Sequence, residues 1–173
     1  MKTFVISDTH FGHENIIRYC NRPYKSVEEM DTDLIMKWNS IVGPEDRVIH
    51  NGDYMFYKTD PGYFDHLNGQ KELVKGNHDK HSVMKLGWKA IHDVLEFNHG
   101  SKRIVMHHYP YESWNHMFHG SIHLYGHVHE KILTNIKNRY NICVEWTNYS
   151  PVNLDYYTSD QATSIDNFDL KGN

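Results

Sequence analysis

The chain of 173 residues is near the common size of one domain, and one compact unit over residues 1–173 is expected, long enough to bury about two-thirds of its unfolded surface. Its 18 basic and 22 acidic residues leave a formal net charge of −4, which excludes a global attraction to DNA or to an anionic membrane and leaves open only a local basic groove. Two cysteines, Cys20 and Cys143, carry no pairing signature; they read as buried thiols in a reducing compartment, the cytoplasm.

The opening run Phe4-Val5-Ile6 is too short for a signal peptide or a membrane span, so neither export nor membrane insertion is expected. It belongs to the first of five short β-rich runs that end abruptly in polar residues: 3–7, 47–51, 71–75, 102–107 and 121–125. Between the first two, Val27, Met30, Leu34, Trp38 and Ile41 recur at the spacing of one helical face. Ser26 with Glu29 offers a capping box, and Gly43-Pro44 ends the helix. Shorter helices are expected over 14–20, 61–67 and 80–86. Strands and helices that alternate in this way predict an α/β layer fold. Beyond Glu130 the runs 131–136 and 139–146 read as a strand pair about a turn at Lys137-Asn138, followed by a short strand near Val152. The last dozen residues are expected to be loosely attached.

Fifteen histidines are an excess for this length, and imidazole is both a frequent metal ligand and a common acid or base. His66, His81, His92 and His99 read as ordinary surface or turn residues. The others collect by position. Asp8-Thr9-His10, Gly52-Asp53, Gly76-Asn77-His78-Asp79, His108 and Gly126-His127-Val128-His129 each follow a predicted strand, and α/β sheets gather ligands at the carboxyl ends of their strands. Imidazole, carboxylate and amide oxygen all bind borderline metals, and a preceding glycine permits a sharp turn. One tetrahedral ion could not use so many donors, so two metals are the economical reading, with Asp53 free to bridge. Two divalent ions would outweigh the charges of Asp8 and Asp53, which leaves a centre suited to phosphate.

In order, Asp8-x-His10, Gly52-Asp53, Gly76-Asn77-His78-Asp79, His108-Tyr109-Pro110 and Gly126-His127-x-His129 resemble the signature of the calcineurin-like metallophosphoesterase superfamily. The stretch from Ile6 to His13 and the pieces Val144-Glu145-Trp146 and Pro151-Val152 look like a small single-domain branch found in bacteria and their phages. The resemblance implies a four-layer αββα sandwich, two mixed β-sheets flanked by helices. It implies Asp8, His10, Asp53 and His129 around one metal and Asp53, Asn77, His108 and His127 around the other. His78 would face the phosphate, stabilise the transition state and protonate the leaving oxygen, with Asp79 orienting it. The implied reaction is in-line attack of a metal-bridging hydroxide on a phosphodiester or phosphomonoester.

His107 and His108 are adjacent, and strand alternation points only one of them at the metals; the family pattern selects His108. His13 is either a rim group for the phosphate or a helix-start histidine. The aromatic stretch 109–120 either lines a substrate pocket, through Tyr111 or Trp114, or covers the end of a sheet. A small phosphate ester is the expected partner. A nuclease is the alternative, for which Lys102, Arg103, Lys131, Lys137 and Arg139 are too scattered to form an evident track, and a metal-dependent scaffold is the third reading. Manganese, iron, zinc, nickel and cobalt all suit these donors.

Overall fold

Side-chain alternation divides β1 (Thr3–Ile6), the first strand of the computed structural model, between two cores. Phe4 and Ile6 face one apolar cluster and Val5 faces the other. The same division separates Val48 from Ile49 in β2 (Arg47–His50) and Leu73 from Val74 in β3 (Gln70–Val74). Strands buried on both faces are what parallel pairing produces, and β1, β2 and β3 are parallel. With the two-residue strands β4 (Ile91–His92) and β9 (Val152–Asn153) at its edges, this sheet has the order β4-β3-β2-β1-β9. The structure describes residues 1–159 and Ala162; apart from Ala162, the stretch expected to be loosely attached lies outside the described residues.

Helices α1 (Glu14–Tyr19), α2 (Val27–Ile41), α3 (Tyr63–His66) and α4 (His81–Met84) cover the outer face of the first sheet. Met30, Leu34 and Trp38 of α2 are buried there beside Phe4, Ile6 and Val48, as the spacing predicts, while Ile41 at the end of the stripe is 45 % exposed. The cap forms with a shift of one residue. Ser26 Oγ accepts from Glu29 N–H, but Glu29 Oε2 accepts from Lys25 N–H and not from Ser26 itself.

The second sheet, β5 (Leu95–His99), β6 (Lys102–Met106), β7 (Ile122–Tyr125) and β8 (Arg139–Asn141), runs in that order, with β5 antiparallel and the others parallel. Ile104, Met106, Ile122 and Leu124 pack against Val5, Ile49 and Val74 of the first sheet, joined by Leu154 and Tyr157 of α5 (Leu154–Thr158). The chain thus adopts the α/β sandwich of two mixed sheets. Among the described residues its outermost layer on this side is the aromatic stretch 109–120, which contains a 3-10 turn at Met117–His119. Tyr111 stacks on His123 at 5.1 Å and the tilted Trp114 ring lies 5.3 Å from it, so both cover the sheet. The expected strand pair after Glu130 does not form. Residues 131–136 are irregular, with Ile132 69 % exposed, because β8 pairs in parallel with β7 and parallel neighbours need a long crossover.

Two buried histidines are expected to make this fold acid-sensitive. His123 Nδ1 faces Val105 O at 3.0 Å and His123 Nε2 accepts Tyr111 N–H at 3.0 Å, a pattern that only the neutral ring satisfies. Burial pushes His123 down to about 4 and His50 down to about 3, the latter despite Asp8 and Asp53. An unfolded histidine protonates near pH 6.5. From that pH down to about 4 the unfolded chain therefore binds protons that the folded chain refuses, and stability falls as pH falls. In urea melts of metal-free protein, His123→Phe is expected to flatten the loss of stability between pH 6.5 and 4.5 by about 2 kcal/mol. An unchanged slope removes His123 from the account.

Candidate metal centre

The parallel strands of both sheets end at one rim, where a parallel bridge between Ser7 and Cys143 joins the sheets. Asp8 and His10 follow β1, Asp53 follows β2, Asn77, His78 and Asp79 follow β3, His108 follows β6, and His127 and His129 follow β7. The turns that carry them are strained. Asp8, His10, Asp53, His127 and His129 all have left-handed backbones, with φ between 52° and 71°, at a cost of about 1–2 kcal/mol each. Backbone bonds hold two of them, Asp8 N–H to Gly52 O and His10 N–H to Asp53 O, both at 3.0 Å.

Glycine serves here by close approach as much as by turning. A Cβ at Gly76 would overlap Asp53 Oδ1, and one at Gly126 would overlap Ser7 Oγ and Asp8 Oδ2. Gly126→Ala is therefore expected to push the Asp8 carboxylate aside and to weaken metal uptake at the first triad, measured as metal per chain, with the fold retained by circular dichroism.

Two donor triads result, and a third group, Cys20, His129 and Glu145, shares His129 with the first. Asp8, His10 and His129 bring ligand atoms within 4.8 Å of one another, and so do Asp53, His108 and His127. His10 Nε2 and His129 Nε2 each lie 3.8 Å from Asp8 Oδ1. Asp53 Oδ2 lies 3.6 Å from His10 Nε2 and 3.4 Å from His108 Nε2, so it touches both triads. These separations exceed a hydrogen bond and match donors that share an ion through bonds of about 2.0–2.2 Å. Both ring nitrogens of His10 are buried without a hydrogen-bond partner, which is costly unless a cation takes one of them. The residues thus fit metal ions.

Asn77 Oδ1 lies 3.1 Å from His108 Nε2, and His108 Nδ1 is set by Asn51 O at 2.9 Å. His107 turns away to stack on Tyr111 at 4.5 Å, so His108 is the one of the pair that enters the centre. His78 is exposed, its ring 5.7 Å from that of His10. His13 lies beside His10 at 5.6 Å, on the rim. Asp79 departs from expectation. Its carboxylate accepts from the backbone N–H groups of Gly76, Asp53 and Tyr54 at 2.8–2.9 Å, and among the described residues it makes no bond to His78. With both oxygens on amides, Asp79 ties the β3 loop to the β2 loop and positions Asp53.

The electrostatics call for positive charge. Burial opposes ionisation of Asp8, yet the neighbouring imidazoles of His10, His108 and His129 hold the carboxyl far below the usual range. Burial likewise opposes charging of His108 and His129, and neighbouring groups overcome it: Asp53 and Asp8 lift His108 to about 9, while Cys20, Glu145 and Asp8 lift His129 to about 10. The carboxylates thus favour positive charge on the groups beside them.

Behind His129 lies a group that the motif spacing does not reveal. Glu145 Oε1 lies 3.1 Å from His129 Nδ1 and accepts from Arg22 Nε at 2.9 Å. The Arg22 fork also donates to Asp8 O at 2.7 Å and Thr9 O at 2.9 Å. A carboxylate on the far nitrogen of a ligating histidine fixes its tautomer and orientation. Asp31 of α2 similarly holds the Asp8–Gly12 loop by accepting Gly12 N–H at 3.1 Å and Tyr57 O–H at 2.9 Å.

Residues 1–144 match the calcineurin-like phosphoesterase superfamily domain. An uncharacterized protein of Methanocaldococcus jannaschii is 40 % identical over 164 residues, covering 89 % of this chain and 88 % of its own. The Gene 66 protein of Mycobacterium phage L5 is 26 % identical, covering 76 % and 79 %. Among solved structures, a protein of unknown function from Aquifex aeolicus superposes with a TM-score of 0.75 at 27 % identity, covering 91 % of this chain and 97 % of its own. With the family model matched over most of its length and a relative 40 % identical, the chain belongs to the calcineurin-like phosphoesterase superfamily.

Proposed function

We propose that the chain is a single-domain, two-metal phosphoesterase in which Asp8, His10, Asp53 and His129 hold one divalent cation and Asp53, Asn77, His108 and His127 hold the other. The observation that carries this reading is Asp53 Oδ2, which lies 3.6 Å from His10 Nε2 and 3.4 Å from His108 Nε2 and makes one carboxylate common to both triads. Manganese, iron, zinc, nickel and cobalt suit the donor set. When bound, such cations polarise a phosphate ester and lower the pKa of water from 15.7 towards about 7.

The protein's own groups supply the rest. Asp8 and Asp53 do not neutralise two divalent ions, so an anionic ester is favoured. His78 stands at the exposed edge, its backbone N–H bonded to Asp53 Oδ1 at 2.8 Å, where its ring can contact a phosphate oxygen and protonate the departing alcohol. His78→Ala is expected to retain metal content and to lose about 10²–10⁴-fold in turnover. Undiminished turnover removes His78 from the chemistry.

Small esters suit the site better than long nucleic acid. Arg103 is paired with Glu96 and Arg139 is buried against Tyr111 O, which removes two of the five cations from which a basic track could be built. The two free, buried cysteines fit a reducing compartment such as the cytoplasm, and no helix among the described residues is long and apolar enough to cross a membrane. The deciding test uses metal-stripped protein with manganese, zinc, nickel or magnesium restored, assayed on p-nitrophenyl phosphate and bis-p-nitrophenyl phosphate. Metal-dependent release supports the enzyme. Two ions bound per chain without turnover of either ester favours the scaffold.

A further inference from the structure

Two large aromatic rings stand in solvent against the candidate centre, one beside each triad. Phe56 is 41 % exposed and Tyr109 is 42 % exposed. The Phe56 ring lies 4.0 Å from His13, tilted by 32°, and 5.6 Å from His78; both of those histidines flank His10 of the first triad. The Tyr109 ring lies 4.4 Å from His127 and 5.4 Å from His108, both of the second triad. The backbone fixes the Phe56 platform, since its N–H donates to Phe11 O at 2.7 Å. Tyr111 and Trp114, which the sequence offers as stacking groups, are spent on covering His123. Among the described residues neither Phe56 nor Tyr109 has a ring contact with His123, although Tyr109 lies 5.7 Å from His107. Lys80 adds one cation, its ammonium 5.5 Å from the Phe56 ring.

We propose that the substrate is a short linear nucleotide whose phosphodiester lies across the centre, with one base stacked on Phe56 and the other on Tyr109. This rests on the two-metal phosphoesterase reading. Base–aromatic stacking accepts any base, so the two rings select a diester with a flat group on each side without selecting sequence. A monoester or a cyclic nucleotide fills one platform at most. Long polymers gain nothing, because Lys80 is a single cation and the chain carries a net charge of −4. Hydrolysis breaks one P–O bond, gives phosphorus the oxygen of water and returns a proton to the departing alcohol, so the products are one nucleoside and one nucleoside monophosphate.

The test compares metal-loaded wild type, Phe56→Leu and Tyr109→Leu on a 3′,5′-dinucleoside monophosphate, a 2′,3′-cyclic nucleotide and the ring-free diester glycerophosphoethanolamine. The dinucleotide is expected to have the highest kcat/KM in the wild type, and each variant to lose about 5- to 150-fold on it, mainly through KM, with metal content and ring-free hydrolysis unchanged. Equal kcat/KM on the ring-free diester, or variants that leave the dinucleotide unaffected, overturns the proposal while the phosphoesterase reading stands. A second readout does not need turnover: a phosphorothioate dinucleotide carrying 2-aminopurine is expected to lose fluorescence on binding the wild type and to keep it with the double variant. If no ester is hydrolysed, the phosphoesterase reading fails, and the fluorescence result alone then upholds or rejects stacking.

Discussion

Asp53→Ala is expected to deplete both halves of the centre at once and to cut ester hydrolysis by on the order of 10³-fold or more, the effect of losing a preorganised charge on two ions together. No other proposed ligand has this reach. Asp8 lies within one triad, so Asp8→Ala is expected to lower occupancy chiefly there. Asp53 faces both His10 and His108. Metal analysis separates the cases: a loss approaching two ions per chain for Asp53→Ala against a loss nearer one for Asp8→Ala. A second consequence appears without metal. Burial disfavours the charged His108 ring, and Asp53 is the leading group that lifts it to about 9, so its titration, followed by NMR, is expected to move down in Asp53→Ala. A group with a raised folded pKa contributes stability that is complete below about pH 6.5 and is lost as pH rises towards 9. Metal-free wild type should therefore gain stability over the variant as pH falls through that window. Asp53→Ala protein that binds two ions and turns over normally would remove the bridge from the proposal.

The rim of the fold is legible in the sequence because two signals coincide there. Short apolar runs mark the strands, and each ends at the residue types that reach the centre, from Asp8 to His129. Strand alternation also separates His107 from His108. Tertiary demands are less legible. β4 has two residues, too few to give a period, and β5 reads Leu-Glu-Phe-Asn-His, an alternation whose partner strand alone declares it. Residues 131–136 resemble a strand locally, yet the parallel pairing of β7 with β8 uses them as a crossover. Asp79 follows His78 directly and reads as its partner, but three backbone amides, one of them that of Asp53, outcompete the ring. Asp31 gives a usable signal, an acid on the apolar stripe of α2 between Val27 and Leu34. Arg22 gives none, since its partners lie across the chain in Asp8, Thr9 and Glu145 and follow no local pattern.

Arg22→Met is expected to destabilise the protein by about 3–5 kcal/mol, the cost of leaving a buried charge without its partner. The Arg22 side chain is fully buried and Glu145 is 5 % exposed, so the variant abandons a carboxylate inside the protein together with the carbonyls of Asp8 and Thr9. Arg22→Lys is not expected to restore the wild type, because a single ammonium cannot reproduce a fork that reaches Glu145, Thr9 and Asp8 at once. Pairing Arg22→Met with Glu145→Leu removes both charges, and apolar replacement of a buried ion pair commonly recovers the stability. Metal affinity follows a different course in that double variant. Without Glu145, His129 Nδ1 loses the acceptor that fixes its tautomer, and affinity at the first triad is expected to fall about 10- to 100-fold. Urea melts of the metal-free proteins and metal titrations of the same three variants measure the two quantities separately. Recovery of stability without recovery of affinity identifies Glu145 as the residue that orients His129; recovery of both would reduce the Arg22–Glu145 pair to a structural brace.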